Sequence, residues 1–343
     1  MHTDAVIRQI DQAGDRAAVL RAARGRAGVQ VAVVTAGGDG NAVGYALTAV
    51  SDALTRRLIR LAEAELGPPP GPYAWVACGS QGRREQTVHT DQDNALILGR
   101  PPGDAEEQAW FRQLAERVNR DLDACGLVRC PGGVMACNPR WRCPLAAWED
   151  AFLDWFRHPD TQAVMLAQNF LDLRTLHGDE ALLQRLRHRV LAAAPGSGRF
   201  LGQLARQALR QRPPRWPLPA PGRRNRALDL KRGGVLPLVG LARLLAVAHG
   251  IPALHTRERL LAAQGPAGVS AEGMAELVAA WDRIVTLRAR HQVRQLRSGR
   301  PPGNAILPGR LDAGERRDLR RALRTVRRMQ SGLAGPRTGG VLQ

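Results

Sequence analysis

Lysine is almost missing from this chain: of 50 basic side chains, only Lys231 is a lysine. Aromatic residues make up 4% of the 343 positions, which leaves few rings for stacking on exposed bases. The net charge of +19 would by itself suggest a polyanionic partner. However, the charge is nearly all arginine, it is scattered, and alanine, glycine and proline are plentiful beside it. That pattern points to compositional bias, so a nucleic-acid partner is not expected. No run reaches the roughly 18 apolar residues of a membrane span. The best attempt, VLPLVGLARLLAVAHGI, contains Arg243 and His249 and reads as a buried helix. The opening MHTDAVIRQIDQ has no basic stretch followed by an apolar one, so a cytoplasmic protein with reduced thiols is expected. Of the five cysteines, Cys125, Cys130, Cys137 and Cys143 are separated by four, six and five residues, which is not the paired spacing of a zinc ribbon. They read as small buried thiols.

What the chain does contain is helix, interrupted once by strands. SDALTRRLIRLAEAEL has helical periodicity, with Ser51 or Asp52 as its cap, and GPPPGPY ends it. YAWVAC reads as a buried strand, GSQGRREQTVHT as a turn with a short helix, and DNALIL as a second strand. A helix over 105–124 and a strand-like piece within GLVRCPGGVMACNP follow. Beyond Pro144 the strand signals fade, and TQAVMLAQNFLDLRTL and later segments carry helical spacing. RQRPPRWPLPAPGRRNR reads as a long loop. The seven arginines from Arg316 to Arg328 recur at helical spacing and suit a solvated helix face. The expected organisation is an N-terminal helical segment over 1–66, an α/β core over 67–145 and a helical domain over 146–343.

The chemistry concentrates in WVACGSQGRREQTVHTDQDNALIL. Asp91 and Asp93 are two apart in a strand, so they share a face and can bind a divalent cation through oxygen. Gly79 and Ser80 follow a strand and offer backbone N–H groups and a hydroxyl to a phosphate. Arg83 and Arg84 lie in the same turn, where a guanidinium fork suits phosphate oxygens. Glu85 is suited to orienting one of them. There is no GK[ST] for a Walker loop, no GxGxxG, and no EF-hand glycine, since Leu96 holds that place. A phosphate turn and a carboxylate pair so close together point to metal-assisted phosphoryl or nucleotidyl transfer. In a chain where arginine has displaced lysine, Lys231 marks a place for a compact ammonium and is a candidate nucleotide or acceptor contact.

Gly-Ser, ten residues, then Asp-x-Asp entering an apolar strand resembles the DNA polymerase β-type nucleotidyltransferase superfamily. More narrowly, it is similar to the amino-terminal domain of PII-protein uridylyltransferases and to a sister family of bacterial nucleotidyltransferases. The likeness continues through GGVMACNPRWR, NFLDLRTLHGD and LDLKRGGVLPLVGLARLLA. It implies an α+β fold: a polymerase β-like core with a small mixed sheet, flanked by an N-terminal helical segment and a C-terminal substrate-binding helical bundle. It also implies Mg²⁺ (or Mn²⁺) on Asp91 and Asp93, a nucleoside triphosphate on Gly79 and Ser80, and charge balance from Arg83. The expected product is UMP or AMP attached to a hydroxyl of a PII-like protein or of a small molecule, with the active site in a cleft between core and bundle. The superfamily's third carboxylate has no counterpart in GLVRCPGGVMACNP. Asp172 and Asp229 are possible substitutes, and a nucleotide-binding module without turnover stays open beside the enzyme. An RNA-directed transferase or RNA binder is the remaining reading of the +19 charge.

Overall fold

A computed structural model of the chain describes residues 2–215, 227–265 and 269–333. Positions 216–226 of the expected Pro/Arg-rich loop lie outside the described residues. The elements run α1 (His2–Asp11), α2 (Arg16–Ala23), α3 (Arg26–Thr35), α4 (Gly40–Leu66), β1 (Tyr73–Ala77), α5 (Gly79–Gly82), β2 (Asp91–Gln92) and β3 (Asn94–Leu98). There follow α6 (Ala105–Ala124), β4 (Val128–Arg129), β5 (Arg142–Pro144), α7 (Leu145–Arg157), α8 (Thr161–Phe170), β6 (Arg174–Gly178), α9 (Glu180–Ala193) and α10 (Gly198–Arg210). The chain ends with β7 (Leu228–Asp229), α11 (Leu236–Ala248), α12 (Thr256–Ala262), α13 (Ala271–Arg297), β8 (Ala305–Ile306) and α14 (Ala313–Leu333). This is the expected α+β architecture, a small mixed sheet among many helices. The chain forms two compact units: 1–36, 42–155 and 165–190 make the first, and 37–41, 156–164 and 191–343 the second.

The first unit is organised by a four-stranded sheet of order β5-β3-β1-β6. β1 (YAWVA) and β3 (NALIL) are buried at every position, as near-continuous apolar strands covered on both faces must be. They pair antiparallel, from Tyr73 opposite Leu98 to Ala77 opposite Asn94, and β5 adds to β3 in parallel. Trp141, Trp148 and Phe170 pack together in this unit, with Trp148 Nε1 donating to Leu96 O at 3.0 Å.

Two local expectations are corrected here. The helical reading of TQAVMLAQNFLDLRTL fails after Phe170, because Arg174–Gly178 is a strand of the central sheet, paired antiparallel with β1. With β3 on one edge of the buried β1, the backbone groups of the other edge need partners, and β6 supplies them. Asp52 does not cap a helix either. α4 begins at Gly40, and Asp52 lies inside it, 7% exposed.

The second unit is helical, with a short antiparallel β7–β8 pair. Its core gathers Leu238, Leu241, Leu245, Leu277, Trp281, Ile284 and Leu323. α14 buries Leu319, Ala322, Leu323 and Val326 and exposes Arg316, Arg317, Arg321, Arg324 and Arg328, the solvated face its spacing suggested. Among the described residues no helix is long and apolar enough to cross a membrane.

Candidate active site

The antiparallel register that ends at Ala77 and Asn94 sets the next residues of each strand side by side. Cys78 N donates to Asp93 O at 2.9 Å. The chain then turns at Gly79 with φ of +55°, in the left-handed region. A β-carbon on Gly79 would stand 2.6 Å from Asp93 Oδ2, closer than van der Waals contact allows. The two halves of the signature therefore touch: the glycine leaves the space that the second carboxylate uses. Ser80 follows, with Oγ 3.4 Å from Thr90 Oγ1.

Alternation along D-Q-D-N divides the work between two faces. Asp91 and Asp93 are partly exposed, while Gln92 and Asn94 are buried. The buried amides form a closed network with Asn119 of α6. Asn119 Nδ2 donates to Gln92 Oε1 and to Asn94 Oδ1, each at 2.8 Å. Gln92 Nε2 donates to Asn119 O and Leu127 O, both at 3.0 Å. Asn94 Oδ1 also accepts from Ala136 N at 2.9 Å, and Asn119 Oδ1 from Cys137 N at 2.8 Å. Satisfied buried amides of this kind fix one geometry, here that of the 127–137 segment against the two aspartates.

A second network holds the Gly-Ser turn from behind. Arg83 is buried, its Nε donating to Glu85 at 2.7 Å and its Nη1 to Asp172 at 2.6 Å. Burial opposes its charge, but the two carboxylates beside it outweigh that and hold the guanidinium firmly protonated. A β-carbon on Gly82 would overlap Asp172 O at 1.9 Å, so α5 lies directly on the segment entering β6. Asp52 accepts from Gln81 Nε2 at 3.0 Å and from Arg174 Nη2 at 2.9 Å, which ties α4, α5 and β6 together. Arg84, next in sequence, is exposed and has φ of +60°, the one non-glycine with positive φ among the described residues.

The structure thus gathers Gly79, Ser80, Arg83, Glu85, Asp91, Asp93 and Asp172 in the first unit. Glu85 pairs with Arg83, one of the two arginines it was suited to orient. Asp172 is fully buried against Arg83, in the sheet's own unit. Lys231 belongs to the second unit, where it opens a π-helical turn, Lys231–Val235, an irregularity that is frequent at functional sites. Asp229 accepts from Arg232 N at 2.9 Å in that same unit.

Cys130, expected to be a buried thiol, is instead partly exposed and joins the aspartates. Donor atoms of Asp91, Asp93 and Cys130 all lie within 4.8 Å of one another, a group able to hold a metal ion. No pairing among cysteines could reveal it, because the partners of Cys130 are carboxylates on a neighbouring strand.

A Gly-Ser turn seated against an Asp-x-Asp, with a cluster able to hold a metal ion, is the arrangement that the sequence resemblance implies for a nucleotidyltransferase core. The family model described as "Putative nucleotidyltransferase DUF294" matches residues 26–162, and that described as "Putative nucleotidyltransferase substrate binding domain" matches residues 198–335. The chain belongs to this nucleotidyltransferase family and carries both of its domains. No curated protein matches the chain.

Proposed function

We propose that the protein transfers a nucleoside monophosphate, UMP or AMP, from a nucleoside triphosphate to a hydroxyl of a protein or small molecule, releasing pyrophosphate. The observation that carries this reading is the contact between Gly79 and Asp93, which couples a phosphate turn to a metal-binding carboxylate. Asp91 and Asp93 hold the divalent cation, Mg²⁺ or Mn²⁺, and their donor spacing fits one. When bound, the cation supplies charge stabilisation to the phosphate oxygens. The Gly79–Ser80 turn and the Ser80 hydroxyl receive the triphosphate, and exposed Arg84 offsets its charge. Arg83 acts from behind, fixing the turn through Glu85 and Asp172. The acceptor oxygen attacks the α-phosphorus, the bond to the β-phosphate oxygen breaks, and the hydroxyl proton is lost. Lys231 stays assigned, on sequence grounds, to a nucleotide or acceptor contact.

A second reading, a nucleotide-binding module without turnover, is favoured by one observation: the third member of the donor cluster is a thiol, not an acid. Incubation with α-labelled UTP and ATP, divalent cation and cell lysate separates the two. The enzyme labels an acceptor, and Asp93→Asn does not. Nucleotide binding without any labelling overturns the transferase reading.

A further inference from the structure

β2 and β4 pair in parallel, with Asp91 beside Val128 and Gln92 beside Arg129. One step further along both strands, this register brings Asp93 level with Cys130. The chain then turns through Pro131, Gly132, Gly133 and Val134. Gly133 N closes the turn on Cys130 O at 3.0 Å, and Asn94 N holds Val134 O at 3.2 Å. The Cys130 sulfur lies with carboxylate oxygens of Asp91 and Asp93 in one group of donor atoms, all within 4.8 Å of one another. The sulfur is thus placed as a third ligand atom beside the two carboxylates, on a loop that the Gln92–Asn94–Asn119 network holds in place.

We infer that Cys130 is the third protein ligand of the cation held by Asp91 and Asp93, standing where a third carboxylate was expected. This rests on the reading of the two aspartates as the cation site. Coordination forms a sulfur–metal bond, and the thiol proton leaves to water. Two oxygens and one sulfur make a softer set than three carboxylates, so the site prefers Mn²⁺, Zn²⁺ or Cd²⁺ to Mg²⁺ more strongly than an all-oxygen site does.

The test is titration of the full-length protein with Cd²⁺, following the ultraviolet sulfur-to-cadmium absorption, and with Mn²⁺ and Mg²⁺ by calorimetry. Wild type gains the sulfur band at one equivalent. Cys130→Ser loses that band while keeping its fold by circular dichroism, and its Mn²⁺ affinity falls by at least about 10-fold. Cys130→Asp also loses the band, but shifts preference toward Mg²⁺ by on the order of 10-fold. Asp93→Asn weakens all three cations. A band and an Mn²⁺-to-Mg²⁺ preference unchanged in Cys130→Ser overturn the inference. If cation binding and label transfer still depend on Asp91 and Asp93 in that case, the nucleotidyltransferase reading survives without it. If wild type binds no cation through the aspartates, both fall.

Discussion

Replacing Gly79 by alanine tests the coupling between the two halves of the signature. The new β-carbon would stand 2.6 Å from Asp93 Oδ2, whereas ordinary contact begins near 3.4 Å, so the carboxylate must retreat by about 0.8 Å. Misplacing a reacting or metal-holding group by about 1 Å costs on the order of 10²-fold in rate. The left-handed backbone adds about 1–2 kcal/mol of strain for any residue bearing a β-carbon. Gly67→Ala isolates that second effect, because Gly67 has φ of +85° and a methyl group added there would meet nothing within 4 Å. The assay pairs urea unfolding with transfer of α-labelled nucleotide. Both variants should lose about 1–2 kcal/mol of stability, and only Gly79→Ala should lose about 100-fold in transfer. Equal activity in the two variants would refute the coupling.

Three further outcomes follow from the buried networks. Arg83→Gln leaves Glu85 and Asp172 facing each other with side chains only 5% and 0% exposed, so urea denaturation should show a loss of about 3–5 kcal/mol. Asn119→Ala removes one donor from each of Gln92 Oε1 and Asn94 Oδ1 and strands the Cys137 N–H, costing about 1–3 kcal/mol and weakening cation affinity by loosening the 127–137 segment. Burial raises the Glu63 carboxyl, but hydrogen bonds from His177 and Tyr73 outweigh it and hold the group below its usual range. A depressed folded value stabilises the native state above the unfolded pKa and loses that contribution as pH falls through the folded one. Acid unfolding should therefore be less steep in Glu63→Gln below about pH 4.5, where the unfolded carboxyl takes up its proton. An unchanged slope would contradict this assignment.

Legibility in the sequence tracked separation along the chain. The Gly-Ser turn, the Asp-x-Asp pair and helix 105–124 were readable because short-range periodicity and spacing define them. β6 was not, because its strand character comes from the open edge of β1, about a hundred residues earlier, and its own apolar spacing also suits a helix. Arg83 looked like a phosphate ligand until Asp172 and Glu85 were seen beside it, since charge alone does not distinguish a guanidinium for phosphate from one buried in an ion triad. Asp52 was read as a cap for the same reason: its partners, Gln81 and Arg174, are distant in sequence. Cys130 meets the aspartates only through the parallel β2–β4 ladder, and strand register between short segments leaves no mark in composition.

The central claim is nucleotidyl transfer, and the most direct measurement compares the α and γ phosphorus of one substrate. The protein is incubated with UTP or ATP labelled at either position, with Mn²⁺ or Mg²⁺ and an acceptor-containing lysate. The account predicts that α-label becomes covalently attached to an acceptor, that γ-label leaves as pyrophosphate, and that Asp91→Asn and Asp93→Asn abolish both. Attachment of the γ-label, or attachment of neither while nucleotide still binds, would contradict it.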